Sequence, residues 1–232
     1  MKTIAVIPAR GGSKRLPNKN ILLLNGIPLI AHSILYAKKN NSIIEDIYVS
    51  TDDAEIKKVA LEYGAKVIDR PKNLSADDEP AVTALKHVLK SIEMNVENVV
   101  LLQPTNPLRP ENLLKECFKI YQKQQCDSLF TVSRNQQKLG KIIDDKFLPF
   151  NYKIGQRSQD LEPLYFENGL LYITKAKLIL LLDCARGDSK IISESAYPFE
   201  VDSVFAEVDI DTQEDLEYAE YLFNKVSRLR ST

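Results

Sequence analysis

The sequence predicts an α/β fold, with a mainly parallel sheet flanked by helices and formed as one domain. Three observations carry this. The chain has 232 residues, a length that one α/β domain fills around a single core. Short apolar runs alternate with longer amphipathic segments, the order expected of βαβ units. Hydrophobic residues make up 44% and charged residues 27%, which is the balance of a soluble globular chain rather than of a disordered or membrane-embedded one.

In chain order, residues 3–8 read as the first strand, ended by Pro8 and the Gly11-Gly12 pair. A helix follows at 29–39, a second strand at 46–50, and a helix at 53–63 that Gly64 stops. Residues 66–68 form a short third strand, 79–94 a helix, and 99–102 a buried fourth strand. Pro110 opens a helix over 111–124, and a strand follows at 128–132. The pattern breaks over 134–161, which carry polar residues, weak alternation and the aromatics Phe147, Phe150 and Tyr152, as an inserted hairpin would. Regular structure resumes with strands at 169–174 and 204–210 and a last helix from 212 to about 225. No internal repeat or low-complexity linker divides the chain, so residues 1–232 are expected to form one domain with an insert at about 134–161.

Lys and Arg total 31 against 32 Asp and Glu, a net charge of −1. That balance argues against a nucleic-acid-coating surface while leaving room for a local basic pocket. Cys117, Cys126 and Cys184 lack C-x-x-C spacing, so neither a zinc site nor a disulfide framework is expected. An odd, scattered count fits a reducing compartment. The start of the chain has no basic leader or cleavage site, and its longest apolar run, 178–182, is far short of the ~20 residues that span a bilayer. The expectation is a soluble, cytoplasmic protein.

The first strand leads into Arg10-Gly11-Gly12-Ser13-Lys14-Arg15-Leu16-Pro17-Asn18-Lys19-Asn20, which holds four cations. Ligands of open α/β sheets bind at the carboxyl ends of strands, where this loop falls. Paired glycines let backbone N–H groups approach an anion, Ser13 adds a hydroxyl, and the cations neutralise several negative charges, a combination suited to a triphosphate. The loop fits neither the G-x-x-x-x-G-K-[ST] nor the G-x-G-x-x-G pattern. The plainer alternative is a glycine turn with solvated charges.

Two further stretches stand out. Gln103-Pro104-Thr105-Asn106-Pro107 follows the fourth strand; its prolines stiffen the loop, and Gln103 offers both an acceptor and donors. Val208-Asp209-Ile210-Asp211-Thr212 alternates, so that in a strand both carboxylates would share one face. Mg²⁺ favours one or two carboxylates together with phosphate oxygens. On these residues alone, the commoner role for Asp211 is to cap the helix beginning near Thr212. His32 and His87 match no metal or nucleophile spacing and read as packing residues.

The opening I-P-A-R-G-G-S-K-x-x-x-x-K-N resembles that of the acylneuraminate cytidylyltransferases, the CMP-sialic acid synthetases and their bacterial relatives. The resemblance extends along the chain through the 101–109 segment, Arg157-Ser158-Gln159-Asp160-Leu161, Glu167-Asn168-Gly169-Leu170-Leu171-Tyr172, and Asp209-x-Asp211-Thr212. It implies a Rossmann-like nucleotidyltransferase fold and the transfer of CMP from CTP to a nine-carbon acidic sugar, releasing pyrophosphate. Arg10, Lys14, Lys19, Asp209 and Asp211 would be catalytic, with Asp209 and Asp211 holding Mg²⁺ or Mn²⁺. Gly11, Gly12, Ser13, Asn20, Arg70, Thr83, Gln103, Pro104 and Thr105 would join Arg10, Lys14 and Lys19 around the nucleotide. Gln103, Arg157, Gln159, Asn168 and Tyr172 would serve the sugar, with Arg157 contributed across a homodimer whose insert at 134–161 completes shared active sites.

The chain departs from the family pattern at several points. Asn106 replaces the usual serine, Ala81 stands where some members carry a nucleotide-contacting serine, and Ser158 and Phe166 stand where many sialate enzymes carry arginine. The Arg157–Leu161 run looks more like pseudaminate enzymes, whereas Glu167–Tyr172 looks like the sialate and legionaminate branch. Pseudaminate or legionaminate is therefore an alternative sugar, and a non-catalytic sensor of CTP or a nucleotide sugar is an alternative of another class.

Overall fold

The computed structural model describes residues 2–181 and 191–230. Its elements run β1 (Thr3–Pro8), β2 (Leu23–Leu24), β3 (Ile27–Pro28), α1 (Leu29–Lys39), β4 (Asp46–Thr51), α2 (Ala54–Glu62) and β5 (Lys66–Asp69). They continue with α3 (Ala81–Ser91), β6 (Asn98–Leu101), α4 (Leu113–Gln124), β7 (Ser128–Asn135), β8 (Gly140–Ile143) and β9 (Lys146–Pro149). β10 (Leu164–Lys175), α5 (Ala176–Leu181), β11 (Tyr197–Glu200) and α6 (Gln213–Arg230) complete the chain.

Seven strands form the main sheet in the order β11-β7-β10-β6-β1-β4-β5. β1 pairs in parallel with β4 on one side and β6 on the other, whereas β10 is antiparallel to both β6 and β7. The chain builds outward from β1 through β4 to β5, then crosses back to place β6 on the far side. That reversal opens a crevice at the carboxyl ends of β1 and β6, the place where doubly wound sheets take ligands.

Strands with helices on both faces read as nearly continuous apolar runs, and Ile4 through Ile7 are all buried. On one face, Ala5 and Ile7 pack with Ile30, Ile34, Ile56 and Leu114 from α1, α2 and α4. On the other, Ile4 and Val6 meet Val82, Leu85, Val88 and Ile179 from α3 and α5. A third, peripheral cluster joins Leu16, Leu24, Leu108, Val208, Ile210 and Leu216. It anchors the cationic loop and the 208–211 segment to α6.

The expectation for residues 204–210 fails: they form a turn and an extended segment, and the late strand is β11, paired in parallel with β7. The apolar signal of Val208 and Ile210 is real, since both are buried in the peripheral cluster. They have burial without a ladder, one main-chain bond from Ile210 N to Thr105 O at 2.8 Å standing in for a partner strand. The expected insert contains β8 and β9, which form a separate two-stranded sheet. Its apolar side chains, including Ile142, Phe147, Phe150 and Ile154, are exposed. Cys117 and Cys126 are free thiols, while Cys184 lies outside the described residues. Among the described residues, no helix is long and apolar enough to cross a membrane.

Candidate active site

A cleft of about 470 Å³ opens at the β1/β6 crevice. Five cations line it, Arg10, Lys14, Arg15, Lys19 and Arg70, together with Gln103, Pro104 and Thr105 and the acids Asp77, Glu79 and Asp211. Ser13 and Asn20 also line it. The loop after β1 is held by local bonds rather than by a helix. Ser13 N donates to Gly11 O at 2.9 Å, and Asn20 Nδ2 donates to Arg10 O at 2.9 Å. Buried Leu16 pins the loop to the peripheral core. Gly11 N–H donates to Asp52 Oδ1 at 3.0 Å, and any Cβ on Gly11 would meet Asp53 Oδ2 at 2.7 Å. The first glycine thus serves close packing against the β4–α2 turn, and Gly12 stands in open space.

Each loop cation has a carboxylate partner. Arg10 NH1 lies 2.5 Å from Asp77, which also pairs with Lys14. Arg15 NH2 lies 2.5 Å from Asp211 Oδ2, and Lys19 Nζ lies 2.7 Å from Asp211 Oδ1. The hydrogen bonds from Lys14 and then Arg10 hold the Asp77 carboxyl below the usual range. Lys19 is the most enclosed of these cations, with its side chain 13% exposed against 82% for Lys14. Arg70 follows the carboxyl end of β5 and is buried, its Nε and NH2 donating to Ser50 Oγ and O at 3.0 and 2.6 Å. Desolvation lowers its pKa from the usual arginine value.

Asp211 does not cap α6. Thr212 does: Asp215 N donates to Thr212 Oγ1 at 3.2 Å, and Asp215 Oδ2 accepts from Asp211 N and Thr212 N at 3.0 and 2.8 Å. This reciprocal arrangement is a capping box with Asp in the Glu position, and it leaves the Asp211 carboxylate out of the cap, lining the cleft in its pairing with Arg15 and Lys19. The expected alternation survives without a strand, because Val208 and Ile210 point into the core and turn Asp209 and Asp211 outward. Desolvation by the atoms packed around it raises the Asp209 carboxyl above the usual range, opposed by a hydrogen bond from Thr105. Asp209 is not among the residues that line the cleft, whereas Asp211 is. The donor set suits a hard dication shared with phosphate: two carboxylates in one short segment, close enough for each to feel the other's charge.

Behind the Gln103 loop lies a buried polar lattice. Arg109, fully enclosed, donates to Leu170 O at 2.6 Å, Ser33 Oγ at 3.0 Å and Gln103 O at 2.7 Å. Desolvation lowers its pKa to about 10, which still leaves it cationic at neutral pH. Asn106, in place of the family's serine, donates through Nδ2 to Val208 O at 2.9 Å and to Asn168 O at 3.3 Å. It thereby ties the Gln103 loop, β10 and the aspartate segment together. Gly169 has φ +73°, and a Cβ there would meet Asn106 Oδ1 at 2.7 Å, so the lattice closes only around a residue without a side chain.

A second cavity of about 320 Å³ shares Gln103 and Ala81 with the cleft and is lined by Tyr172 and Glu167. Tyr172 OH donates to Glu167 Oε1 at 2.5 Å, and burial pushes the phenol up from its ordinary value.

The residues expected from sequence thus divide. Arg10, Ser13, Lys14, Lys19, Asn20, Arg70, Gln103, Pro104, Thr105 and Asp211 gather at one cleft, with Tyr172 in the cavity beside it. Thr83 does not reach the cleft: it is buried in α3 with its hydroxyl donating to Pro80 O at 2.8 Å, and Ala81 takes the lining position. The Asn168 side chain is spent inside the sheet, accepting from Thr131 Oγ1 at 2.6 Å and donating to Ser133 Oγ at 2.9 Å. Arg157 and Gln159 lie outside both cavities, on an exposed 3-10 turn where Arg157 Nε meets Asp160 Oδ2 at 2.7 Å. Sequence reasoning missed Asp77 and Glu167 as site residues. The run of acids at 77–79 beside a cationic loop was the available signal for Asp77.

The sheet and the cation-lined cleft at its β1/β6 switch point define a doubly wound α/β protein whose cleft suits an anionic ligand. Residues 4–230 match the family model described as cytidylyltransferase, and the chain belongs to that family. It is 35% identical over 225 residues to an N-acylneuraminate cytidylyltransferase of Streptococcus agalactiae, covering 93% of this chain but 52% of the relative. The chain therefore spans about half the length of that relative. It is 36% identical to a pseudaminic acid cytidylyltransferase of Campylobacter jejuni, over 96% of this chain and 97% of the relative. It is 37% identical to a CMP-N,N'-diacetyllegionaminic acid synthase of Legionella pneumophila, over 96% of both chains. Among solved structures, a CMP:2-keto-3-deoxy-manno-octonic acid synthetase complexed with CTP superposes with a TM-score of 0.72 at 19% identity, over 97% of this chain and 99% of that one. That likeness shows the shared fold.

Proposed function

We infer that the chain transfers CMP from CTP to the anomeric hydroxyl of a nine-carbon acidic sugar of the N-acylneuraminate type, releasing pyrophosphate. The observation that carries this reading is the cleft itself, with five cations facing Gln103 and Asp211 at the β1/β6 switch point of a cytidylyltransferase chain. The triphosphate lies along Arg10, Lys14, Arg15 and Lys19, whose charges draw density toward the departing pyrophosphate. The base and sugar ends meet the Gln103–Thr105 loop, and Asp209 and Asp211 are the residues that would hold Mg²⁺ or Mn²⁺. When bound, that ion neutralises phosphate charge and acidifies a nearby hydroxyl. Turnover by residues held this way rests mainly on positioning and electrostatics.

The acceptor occupies the smaller cavity near Gln103 and Tyr172. Asn168 supports that cavity from within the sheet, and Arg157 and Gln159 serve it from a second subunit of a homodimer. Pseudaminate and legionaminate remain within the same reaction, and relatives named for each are similar along nearly their whole length. The free thiols fit the reducing cytoplasm as the compartment. The test is pyrophosphate release with Mg²⁺ and each nucleoside triphosphate against a panel of the three acids. Release with CTP and one or more acids is expected. Equal turnover with UTP would sink the cytidylyl assignment, and CTP binding without turnover would favour a sensor.

A further inference from the structure

We propose that Glu167 sets the orientation of the acceptor, accepting a hydrogen bond from a neutral donor on it and turning its carboxylate away. This rests on the cytidylyl-transfer reading above. The cavity beside the cleft reverses the cleft's charge. Among its lining residues the only ionic group is the Glu167 carboxylate, and the remaining walls are largely Pro80, Val82, Ile191 and Ile192. Glu167 stands where β10 slips its register against β7, the shift falling between Glu167 and Tyr172. Bulges of this kind re-aim side chains beside active sites.

The Tyr172 hydroxyl, donating at 2.5 Å, pins one carboxylate oxygen. Because burial disfavours the phenolate, Tyr172 remains a donor at neutral pH. Among the described residues the Glu167 side chain has no other hydrogen bond, and a carboxylate has acceptor capacity for several. An acidic acceptor lying across Gln103 therefore meets a negative field on the Glu167 side. Its carboxylate is repelled by Glu167, while hydroxyl or amide N–H groups at its other end are drawn to Glu167. One orientation satisfies both, and it is fixed before any bond is made.

The experiment is steady-state pyrophosphate release with CTP and the sialate, pseudaminate and legionaminate acids, comparing wild type, Glu167→Gln and Tyr172→Phe. Glu167→Gln preserves size and can still accept from Tyr172. Its acceptor KM is expected to rise on the order of tenfold or more, as for loss of a hydrogen bond to a charged group, with the CTP KM and the Tm unchanged. Tyr172→Phe unpins the carboxylate and should raise the acceptor KM by a smaller factor, again at constant CTP KM. If wild type turns over an acid and Glu167→Gln keeps its acceptor KM within error, or if both KM values move together, the role of Glu167 is overturned while the reaction stands. No turnover by wild type with any of the acids overturns the reaction, and the role of Glu167 with it.

Discussion

At the scale of single residues, the charges around the cleft give the sharpest expectations. Asp211→Asn and Asp209→Asn should each lower Mg²⁺-dependent turnover on the order of a hundredfold, the effect of about 2.7 kcal/mol. The Tm should stay put, because neither side chain caps a helix or anchors the core. Near-wild-type rates for both at limiting Mg²⁺ would remove them from the site. Lys14→Ala should impair turnover more than Arg15→Ala, and the opposite ranking would mean the phosphate contacts are misassigned. Buried Tyr36 gives a pH expectation. Burial pushes its phenol up to about 12 from an ordinary value of 10, with Leu114 N–H donating to its oxygen at 2.9 Å. The folded state thus keeps a proton that the unfolded state releases, so this contribution is full below pH 10 and is lost as pH rises toward 12. Denaturant melts between pH 8 and 12 should show that decline, and Tyr36→Phe should make it shallower. At this scale the sequence was most informative about ions. Lys19 and Arg10 could be picked out from charge pattern and position after a strand, whereas Asp211 read on its own as a helix cap and joined the site only through the family resemblance. Asn168 and Thr83 could not be judged, because whether a polar side chain faces a cleft or a neighbouring strand depends on partners distant in sequence.

At the scale of elements, parallel strands and their helices were legible wherever local signals agreed. Residues 3–8 and 29–39 match β1 and α1, and the Gly64 stop marks the end of α2, whose start falls one residue later than expected because the Asp53 side chain caps it. Two elements escaped for different reasons. β2 and β3 are two residues each, joined by Asn25-Gly26 with φ of 49° and 77°, a hairpin dipeptide whose flanking strands are too short to show alternation. β11 contains Pro198 and packs at the sheet edge, and an edge strand with proline carries a weak strand signal. The peripheral residues 204–210 drew the strand assignment instead, because burial beside a helix and burial in a sheet leave the same apolar alternation. α6 supplies a test of its own. Thr212→Ala removes the capping hydroxyl and should cost about 1 kcal/mol, read as a lower Tm. Because the same cap orients the segment carrying Asp211, turnover should fall more steeply with temperature than in wild type; an unchanged Tm would show that Asp215 alone organises the helix start.

At the scale of the whole molecule, the β8–β9 hairpin and the stretch after it motivate a test for a partner. Ile142 is 76% exposed, Phe150 66% and Ile154 85%, an apolar surface of the kind that marks interaction sites. A homodimer with shared sites is the expected outcome, and it would bring Arg157 to a cavity it does not reach within its own chain. Mixing Arg157→Ala with Lys14→Ala chains under subunit exchange should restore roughly a quarter of wild-type activity, since half the dimers are mixed and one site in each carries neither lesion. No recovery despite demonstrated exchange, or a fully active monomer, would rule the shared site out. The aromatic content of the insert was visible in the sequence; that its strands form a sheet detached from the main one was not, since separation is a matter of contacts not made.

The pairing of Asp77 with Arg10 and Lys14, and of Asp211 with Arg15 and Lys19, has a consequence for how the nucleotide arrives. The cleft cations already carry carboxylate counter-ions of their own, so binding a triphosphate there would exchange one set of anions for another, and its affinity would be the difference between the two sets of contacts. Asp77→Asn withdraws one competitor and should tighten CTP binding a few-fold, most clearly at low ionic strength, where a loss of affinity would instead make Asp77 part of the nucleotide's own seat. On the proposed reading, phosphate that took Arg15 and Lys19 would release the Asp211 carboxylate from both, so its service to a dication would depend on a nucleotide being bound.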